Sequence, residues 1–404
     1  MEFKPFKLIK PTNRAQFCST SHQDSIFKTP FYMPPELINE ILLKLPVKSL
    51  VKFRCVSKSW LALISSNEFI NTHLSLSAND KEHKHHRLIL RFDPPYYSLQ
   101  DCSFSSLLND SVTEAFDMDY PMKISKKLTS LVISIVGSVD GLVCLAIEEK
   151  CLCVWNPSIR KIKKLCDCRA MTEVKSCFMY GFGYDEIHDD YKVVAGYRCS
   201  GLVKVDMYSV DSGSWRSIDD FPCGVLSMKS GVLVNGKLHW ANTTYQTIPS
   251  ADAWGIISIN LADGKWGKVE QPFYREGDFD LTLGVFGSDL SVFCNYQRIH
   301  VDVWVWKEYG VNESWTKMFT INLPYDPVGY QGCSFFCMSN EGGILFQFGL
   351  TFMIYNPKDG SIKYSEITCY NAFYEAYIFV ESLVWPHFTK KPRMQQQRML
   401  EKLR

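Results

Sequence analysis

The stretch Val205-Asp-Met-Tyr-Ser-Val-Asp-Ser-Gly-Ser-Trp-Arg-Ser-Ile218 alternates apolar and polar residues, breaks at Asp-Ser-Gly, and resumes on a tryptophan. Alternation on both sides of a glycine turn spells two strands joined tightly. The same grammar returns at 153–162 (Cys-Val-Trp-Asn-Pro-Ser-Ile-Arg-Lys-Ile), 257–269, 305–318 and 354–364. Its aromatic markers Trp215, Trp266, Trp315 and Tyr364 are 51, 49 and 49 residues apart. Each unit follows a second glycine-marked segment: Gly137–Val143, Phe182–Val193, Gly231–Trp240, Leu283–Leu290 and Glu341–Leu345. Two hairpins per period make four strands, the content of one propeller blade. Five periods are legible. Arg87–Asp93, Tyr96–Gln100 and a closing strand in Tyr377–Trp385 supply a sixth, so about six blades are expected, with no helix among them. Periodicity leaves a pair of β-sandwiches open as the alternative.

Upstream, residues 33–74 are the one long stretch spaced as helix. Met33-Pro34-Pro35-Glu36 puts prolines in a first turn, where a missing N–H costs nothing, and an acid near the positive helix end. Leu37, Ile38, Ile41, Leu42 and Leu45 continue as one apolar stripe. Pro46 ends that helix and starts another, with Leu50, Val51 and Phe53 on its buried side. Ser57 caps a third with Trp60, Leu61 and Ile64 inward; Asn67 caps a last turn carrying Phe69, Ile70 and Leu74. Three or four helices in about forty residues make a marginal core. Such a head either docks on a partner or folds back as a cap on the β body. The expected class is α+β multidomain, a small helical head followed by an all-β, propeller-like body.

Charge divides along the same lines. The 404 residues carry 44 Lys+Arg and 43 Asp+Glu, for a net charge of +1. Segments 1–30, 31–74 and 389–404 hold +3, +2 and +5, leaving −9 for 75–388. A strongly basic nucleic-acid binder is excluded for the chain as a whole. No apolar run approaches the roughly 18 residues of a membrane span. Fifteen cysteines, an odd number often inside apolar runs such as Val143-Cys144-Leu145, read as reduced buried thiols. The boundaries expected are a disordered basic extension (1–30), the helical head (31–75), a polar linker (76–86), the β body (87–388) and a basic tail (389–404). That tail is either a nuclear-import patch or a solvated helix end.

The run Met33–Trp60 resembles an F-box of the plant type. The matching elements are Pro34, Glu36-Leu37, Ile41-Leu42, Leu45-Pro46, Leu50, Phe53-Arg54, Val56-Ser57-Lys58 and Trp60; Met33 stands where the family usually has Leu. The resemblance implies docking onto the Skp adaptor of a cullin-based ubiquitin ligase. Leu37, Ile41, Leu42, Leu45 and Pro46 would lie in the contact, Pro34 and Glu36 beside it, and Leu50, Val56 and Trp60 packed near it. The body is similar to the F-box-associated domain. That likeness rests on Gly137-Ser-Val-Asp-Gly141-Leu-Val, Trp155-Asn-Pro-Ser158, Gly181-Phe-Gly-Tyr-Asp185, Asp190-Tyr-Lys-Val, Asn235-Gly-Lys-Leu-His-Trp240 and Trp304–Trp315. Departures are Asp140, where Asn is common, and Trp306, where Met is. The family implies a non-catalytic substrate receptor in nucleus and cytoplasm, whose partners are the adaptor, through it a cullin, and a target protein, with neither nucleic acid nor membrane. One clade restrains immune receptors by promoting their turnover, and the Asn-Pro-Ser-Ile-Arg-Lys and Lys-Glu-Tyr-Gly-Val-Asn-Glu-Ser-Trp stretches suit it. Another acts in pollen recognition of stylar ribonucleases.

Other chemistry finds little support. Cys151-x-Cys153 and Cys166-x-Cys168 have one residue between thiols where zinc pairs usually have two or more, so no metal and no cofactor are expected. His83, His85 and His86 among lysines read as a solvated linker. Gly181-Phe-Gly-Tyr lacks the third glycine of a dinucleotide loop and reads as a blade turn, as does Asp189-Asp190. A propeller enzyme and a ligase-independent binding protein remain as alternatives.

Overall fold

The computed structural model describes residues 33–386 apart from 93–97, 121–131, 149–150, 166–176, 200–201, 219–220, 223–224, 227–229, 244–253, 275–278, 298, 325–332, 339–341, 349–350 and 369–374. The basic extension 1–30, the tail 389–404, Tyr96, Glu341 and the Cys166/Cys168 pair lie outside the described residues.

Four helices form the head: α1 (Pro35–Leu43), α2 (Val47–Phe53), α3 (Lys58–Ile64) and α4 (Asn67–Ala78). β1 (His86–Phe92), β2 (Ser98–Ser103), α5 (Phe104–Asn109) and β3 (Val112–Asp117) follow. The first antiparallel sheet is β4 (Ile133–Val139), β5 (Leu142–Ile147), β6 (Cys151–Asn156) and β7 (Lys161–Lys164), in that order. The second repeats it with β8 (Cys177–Asp185), β9 (Asp190–Cys199), β10 (Leu202–Ser209) and β11 (Ser214–Ile218). In the third, β12 (Val225–Leu226) and β13 (Val232–Val234) both pair with β14 (Lys237–Thr243), followed by β15 (Trp254–Asn260) and β16 (Trp266–Val269). The fourth is β17 (Asp280–Phe286), β18 (Asp289–Tyr296), β19 (His300–Trp306) and β20 (Trp315–Asn322). Finally β21 (Cys333–Met338), β22 (Ile344–Phe348), β23 (Thr351–Tyr355) and β24 (Ile362–Thr368) join, through a parallel β24–β3 pair, the set β3-β2-β1-β25 (Glu375–Val380) in one eight-stranded sheet.

Each sheet packs by its leading strands on the next: β4 on β8, β8 on β13 and β14, these on β17, and β17 on β21. β25 packs against β4, so the series returns to its start. A ring of sheets is propeller-like, and two stacked sandwiches would not produce it. The recurring units fall on five hairpins: β6–β7, β10–β11, β15–β16, β19–β20 and β23–β24.

Turn chemistry explains why the units look alike. At Asn260 the side-chain oxygen accepts from the Ala262 amide (2.8 Å), and the Gly264 amide donates back to the Asn260 carbonyl (2.8 Å). Asn356 repeats this with Lys358 (3.0 Å) and Gly360 (2.8 Å). Both glycines sit at positive φ, +78° and +73°, which a side chain would strain. Burial falls from β5 outward to β7. All six residues of β5 are buried, whereas β7 is exposed and carries three lysines that discourage edge pairing.

Two sequence expectations need correction. The body does contain a helix, α5, whose Ser103 hydroxyl accepts from the Ser106 amide and whose Phe104 and Leu107 are buried. Asn67 does not cap a last turn. Ser66 caps α4 through the Phe69 amide, and the helix runs twelve residues to Ala78, past residue 75.

Candidate functional site

Helix α1 begins as proline geometry requires, with Pro34 at the cap, Pro35 next, and Glu36 in the first turn. Its apolar stripe does not face one way. Leu42 is buried, Ile38 and Leu45 are half-buried, and Leu37 and Ile41, one turn apart, are each 49% exposed. The inward side joins Val47 and Leu50 of α2, Ile64 of α3 and Phe69 of α4 around Leu383 of the body. Trp60 is half-buried, edge-on to Phe53 at 5.6 Å, and the Ser57 hydroxyl caps α3 through the Trp60 amide (3.2 Å).

The ten sequence-predicted residues therefore separate into three groups. Pro34, Glu36, Leu37, Ile41, Pro46 and Val56 are exposed; Leu45 and Trp60 are half-buried; Leu42 and Leu50 lie in the head core. Leu61, assigned inward from its spacing, faces out and is 47% exposed. A short helix with apolar residues on two sides gives no spacing signal for which side is covered, which is why Leu61 was misassigned.

The head is also tied to the body. Ile70 and Leu74 of α4 and Trp385 pack against the core shared by the first two sheets. Beside that contact runs a groove of about 550 Å³ between α4 and the β8–β9 and β10–β11 hairpins. Among its lining residues are Asp140, Tyr184, Asp189, Tyr191 and Trp385, and none is Lys or Arg. The Tyr191 hydroxyl donates to Asp140 at 2.9 Å, and burial raises both the Asp140 carboxyl and the Tyr191 hydroxyl above their usual ranges.

The family-like body motifs turn out to be latches. The buried Asn156 amide donates to the carbonyls of Ser382 (3.1 Å) and Val384 (2.8 Å), and its oxygen accepts from the Ser158 amide (2.9 Å). Gly141, at φ +77°, lies so close to the Ser382 hydroxyl and Val380 carbonyl that a methyl group would collide with both. Lys192 pairs with Asp185 at 2.5 Å and donates to the Leu261 carbonyl at 2.8 Å, joining the second sheet to the third. Burial alone would raise the Asp185 carboxyl, but bonds from Lys192 and His188 hold it below the usual range. The Trp240 indole donates to the Tyr180 carbonyl (3.0 Å), and its ring fills the space that Gly181 leaves open.

Among the described residues, no three His, Cys, Asp or Glu side chains are arranged to hold a metal, and no helix is long and apolar enough to cross a membrane. Fold and site together define a two-part protein, a helical head with bare apolar side chains fixed to a propeller-like β body. Comparison with known proteins carries the definition further. Residues 31–72 match the F-box domain, and residues 96–385 match the F-box associated beta propeller domain. The chain belongs to the F-box proteins that carry this β-propeller domain. An F-box/kelch-repeat protein of Arabidopsis thaliana is 32% identical over 374 residues, spanning 89% of this chain and 97% of its own. F-box protein CPR1, also of Arabidopsis thaliana, is 30% identical over 321 residues, 72% of this chain and 73% of that one. Among solved structures, TolB from Acinetobacter baumannii aligns over 78% of this chain and 73% of its own, at a TM-score of 0.42 and 10% identity.

Proposed function

We propose that this chain is the substrate-recognition subunit of an Skp–cullin–F-box ubiquitin ligase, binding the Skp-type adaptor through its head and a target protein through its β body to promote the target's ubiquitination and degradation. The observation that carries the reading is the exposed pair Leu37 and Ile41 on α1, within a segment that matches the F-box. Val56 and Leu61, 59% and 47% exposed, add apolar surface at the start of α3. The subunit supplies no catalytic residue. Holding a target near the ligase core raises its effective concentration, and that is the whole of the mechanism.

The eight-stranded sheet counts as two blades meeting at the parallel β24–β3 pair, which makes six. A role in plant defence is the preferred setting, and pollen recognition of ribonucleases the alternative. Nucleus and cytoplasm are the compartments this reading entails.

The test is co-purification with an Skp-type adaptor. Fully burying a Leu or Ile side chain is worth about 1.5–3 kcal/mol, so two half-exposed ones leave roughly that much to gain on docking. Leu37→Ala/Ile41→Ala weakens binding about tenfold or more, and Leu37→Asp/Ile41→Asp abolishes it, with thermal unfolding little changed. Undiminished binding by the Asp pair would overturn the proposal. Leu42 and Leu50 are unsuitable for this purpose, because charge at a buried core position reports on folding. A second reading has one observation in its favour: α4 does pack on the body, as a ligase-independent cap would. Failure of the full chain to enrich cullin from cells selects that reading.

A further inference from the structure

Four of the nine histidines converge where head meets body. His73, on α4, is completely buried; its ring stacks on Phe69 at 6.2 Å, and its Nε2 bonds to the Leu45 carbonyl, just past α1, at 2.9 Å. The Ser77 hydroxyl lies 3.4 Å from its Nδ1. His85 meets His73 edge-on at 5.8 Å, and the His85 carbonyl accepts from the Glu381 amide at 2.8 Å. His86, the first residue of β1, stands edge-on to His83 at 4.9 Å, and both rings pack on Phe104 of α5, at 6.3 and 5.5 Å. Only the peptide between His85 and His86 interrupts a run of rings from the end of α1 to α5. The sequence reading of a solvated linker is therefore wrong for these imidazoles, each of which is at least half-covered from solvent.

The Nδ1 atoms of His83, His85 and His86 are buried and have no hydrogen-bond partner. A neutral imidazole tolerates this, because the unpartnered nitrogen can be the one without a proton. An imidazolium cannot. Protonation of His83 and His86 would place a donor at two buried positions lacking acceptors, and like charges 4.9 Å apart.

The facing charges are too few to compensate. Asp80 is a carboxylate whose charge acts on His83, His85 and His86, and its oxygens already accept from the Glu82 and Lys84 amides at 3.1 and 2.9 Å. Lys84 is paired with Glu82 in the same turn. From the other side Glu381 faces His85, but it also faces Arg87, Asp101 and Lys48, and burial raises its own carboxyl above the usual range.

We propose that the imidazoles of His73, His83 and His86, packed with that of His85, form a proton-sensitive joint, which in the neutral state holds the helical head in one orientation on the β body and releases it when His73, His83 and His86 are protonated. The inference rests on the joint alone and stands whether or not the head binds an adaptor. Burial, first among the causes, pushes His86 down to about 4 and sets His83 and His73 below their usual value. A histidine whose folded pKa is depressed contributes fully above its unfolded value of about 6.5. Its contribution fades as pH falls from there toward the folded value. The joint is thus tight at neutral pH and loosens in the window from about 6.5 to 4.

Hydrogen exchange of the full chain tests this, with rates corrected for the intrinsic effect of pH. Between pH 7.5 and 5.5, α4 amides are expected to lose at least tenfold in protection while β5 and β18 keep theirs. Constant protection in α4, or parallel loss in α4, β5 and β18, overturns the joint. In His83→Gln/His86→Gln the α4 loss shrinks to twofold or less; a full loss in that variant, folded, overturns it equally. Should the double variant fail to fold, His83→Gln alone is expected to give an intermediate loss, and a wild-type response from it counts against the proposal.

Discussion

Asn156 offers a sharp test of how the ring is closed. Replacing it with alanine removes the donor that serves the Ser382 and Val384 carbonyls and the acceptor that serves the Ser158 amide. Asn156 is itself 0% exposed, so water does not reach the site in its place. An unsatisfied buried polar group costs about 1–3 kcal/mol, and two carbonyls are stranded here. A loss of roughly 3 kcal/mol follows, which lowers Tm by about 5 °C in a body of this size. Aspartate separates this argument from a cavity argument. It matches asparagine in volume, so packing alone makes Asn156→Asp the milder change. Hydrogen bonding makes it the worse one, because a carboxylate would turn a negative charge toward two carbonyl oxygens. Urea unfolding of both variants, followed by tryptophan fluorescence, decides the matter. If Asn156→Asp is more stable than Asn156→Ala, the clasp is not what holds Ser382–Val384 in place, and the reasoning fails.

Two further outcomes follow from the latches. Gly141→Ala is expected to destabilise at least as much as Asn156→Ala, since it combines strain at φ +77° with a collision against the Val380 backbone, and adding Ser382→Ala should not restore it. Lys192→Met should cost about 1.5–3 kcal/mol, because Asp185 loses its charged partner but keeps His188 and the Ile187 amide, and Lys192→Met/Asp185→Leu should recover most of that in chemical denaturation. Because the Asp185 carboxyl is held below its usual range, the stabilisation from this pair is present above about pH 4 and fades as pH falls below it. A shallower acid limb is therefore expected in the double variant than in the wild type.

The repeat of hairpins was legible because its turns depend on local chemistry. Each of these hairpins needs one residue at positive φ, supplied by Gly213, Gly264, Gly310 and Gly360 and, between β6 and β7, by Arg160, so turns such as Asn260-Leu-Ala-Asp-Gly264 and Asn356-Pro-Lys-Asp-Gly360 stay recognisable. What Asn156 does beyond its own turn was not legible. Its partners lie 226 and 228 residues away, and a turn-forming asparagine looks the same in sequence whether or not its amide clasps a distant strand. The head was legible as four helices and an apolar stripe, but not as an inside and an outside. Leu42 and Ile41 are adjacent and equally apolar, and the packing of α2, α3 and α4 around Leu383 decides which is covered. The histidines were misread for a related reason. Polar residues between two elements resemble a solvated linker until Phe69 and Phe104 are seen to flank them. Helix α5 hid in a serine-rich run, where Ser103 could be read as turn or cap.

The two outcomes that pattern alone left open for the head, docking or capping, need not exclude each other. Helix α4 gives Phe69 to the head core and Ile70 and Leu74 to the body, so one helix belongs to two cores at once. That arrangement leaves α1 and the start of α3 with apolar side chains that neither core covers. A head held by a loose linker would present the same side chains, but a bound target would then sample many distances from the ligase core. Effective concentration falls steeply as a connection lengthens and softens. On the proposed function, packing α4 on the body would serve docking: an adaptor held at the apolar surface would stand at a set distance and angle from the receptor body. Loosening α4 without touching Leu37 or Ile41 should accordingly leave adaptor affinity intact and reduce ubiquitin transfer to the target.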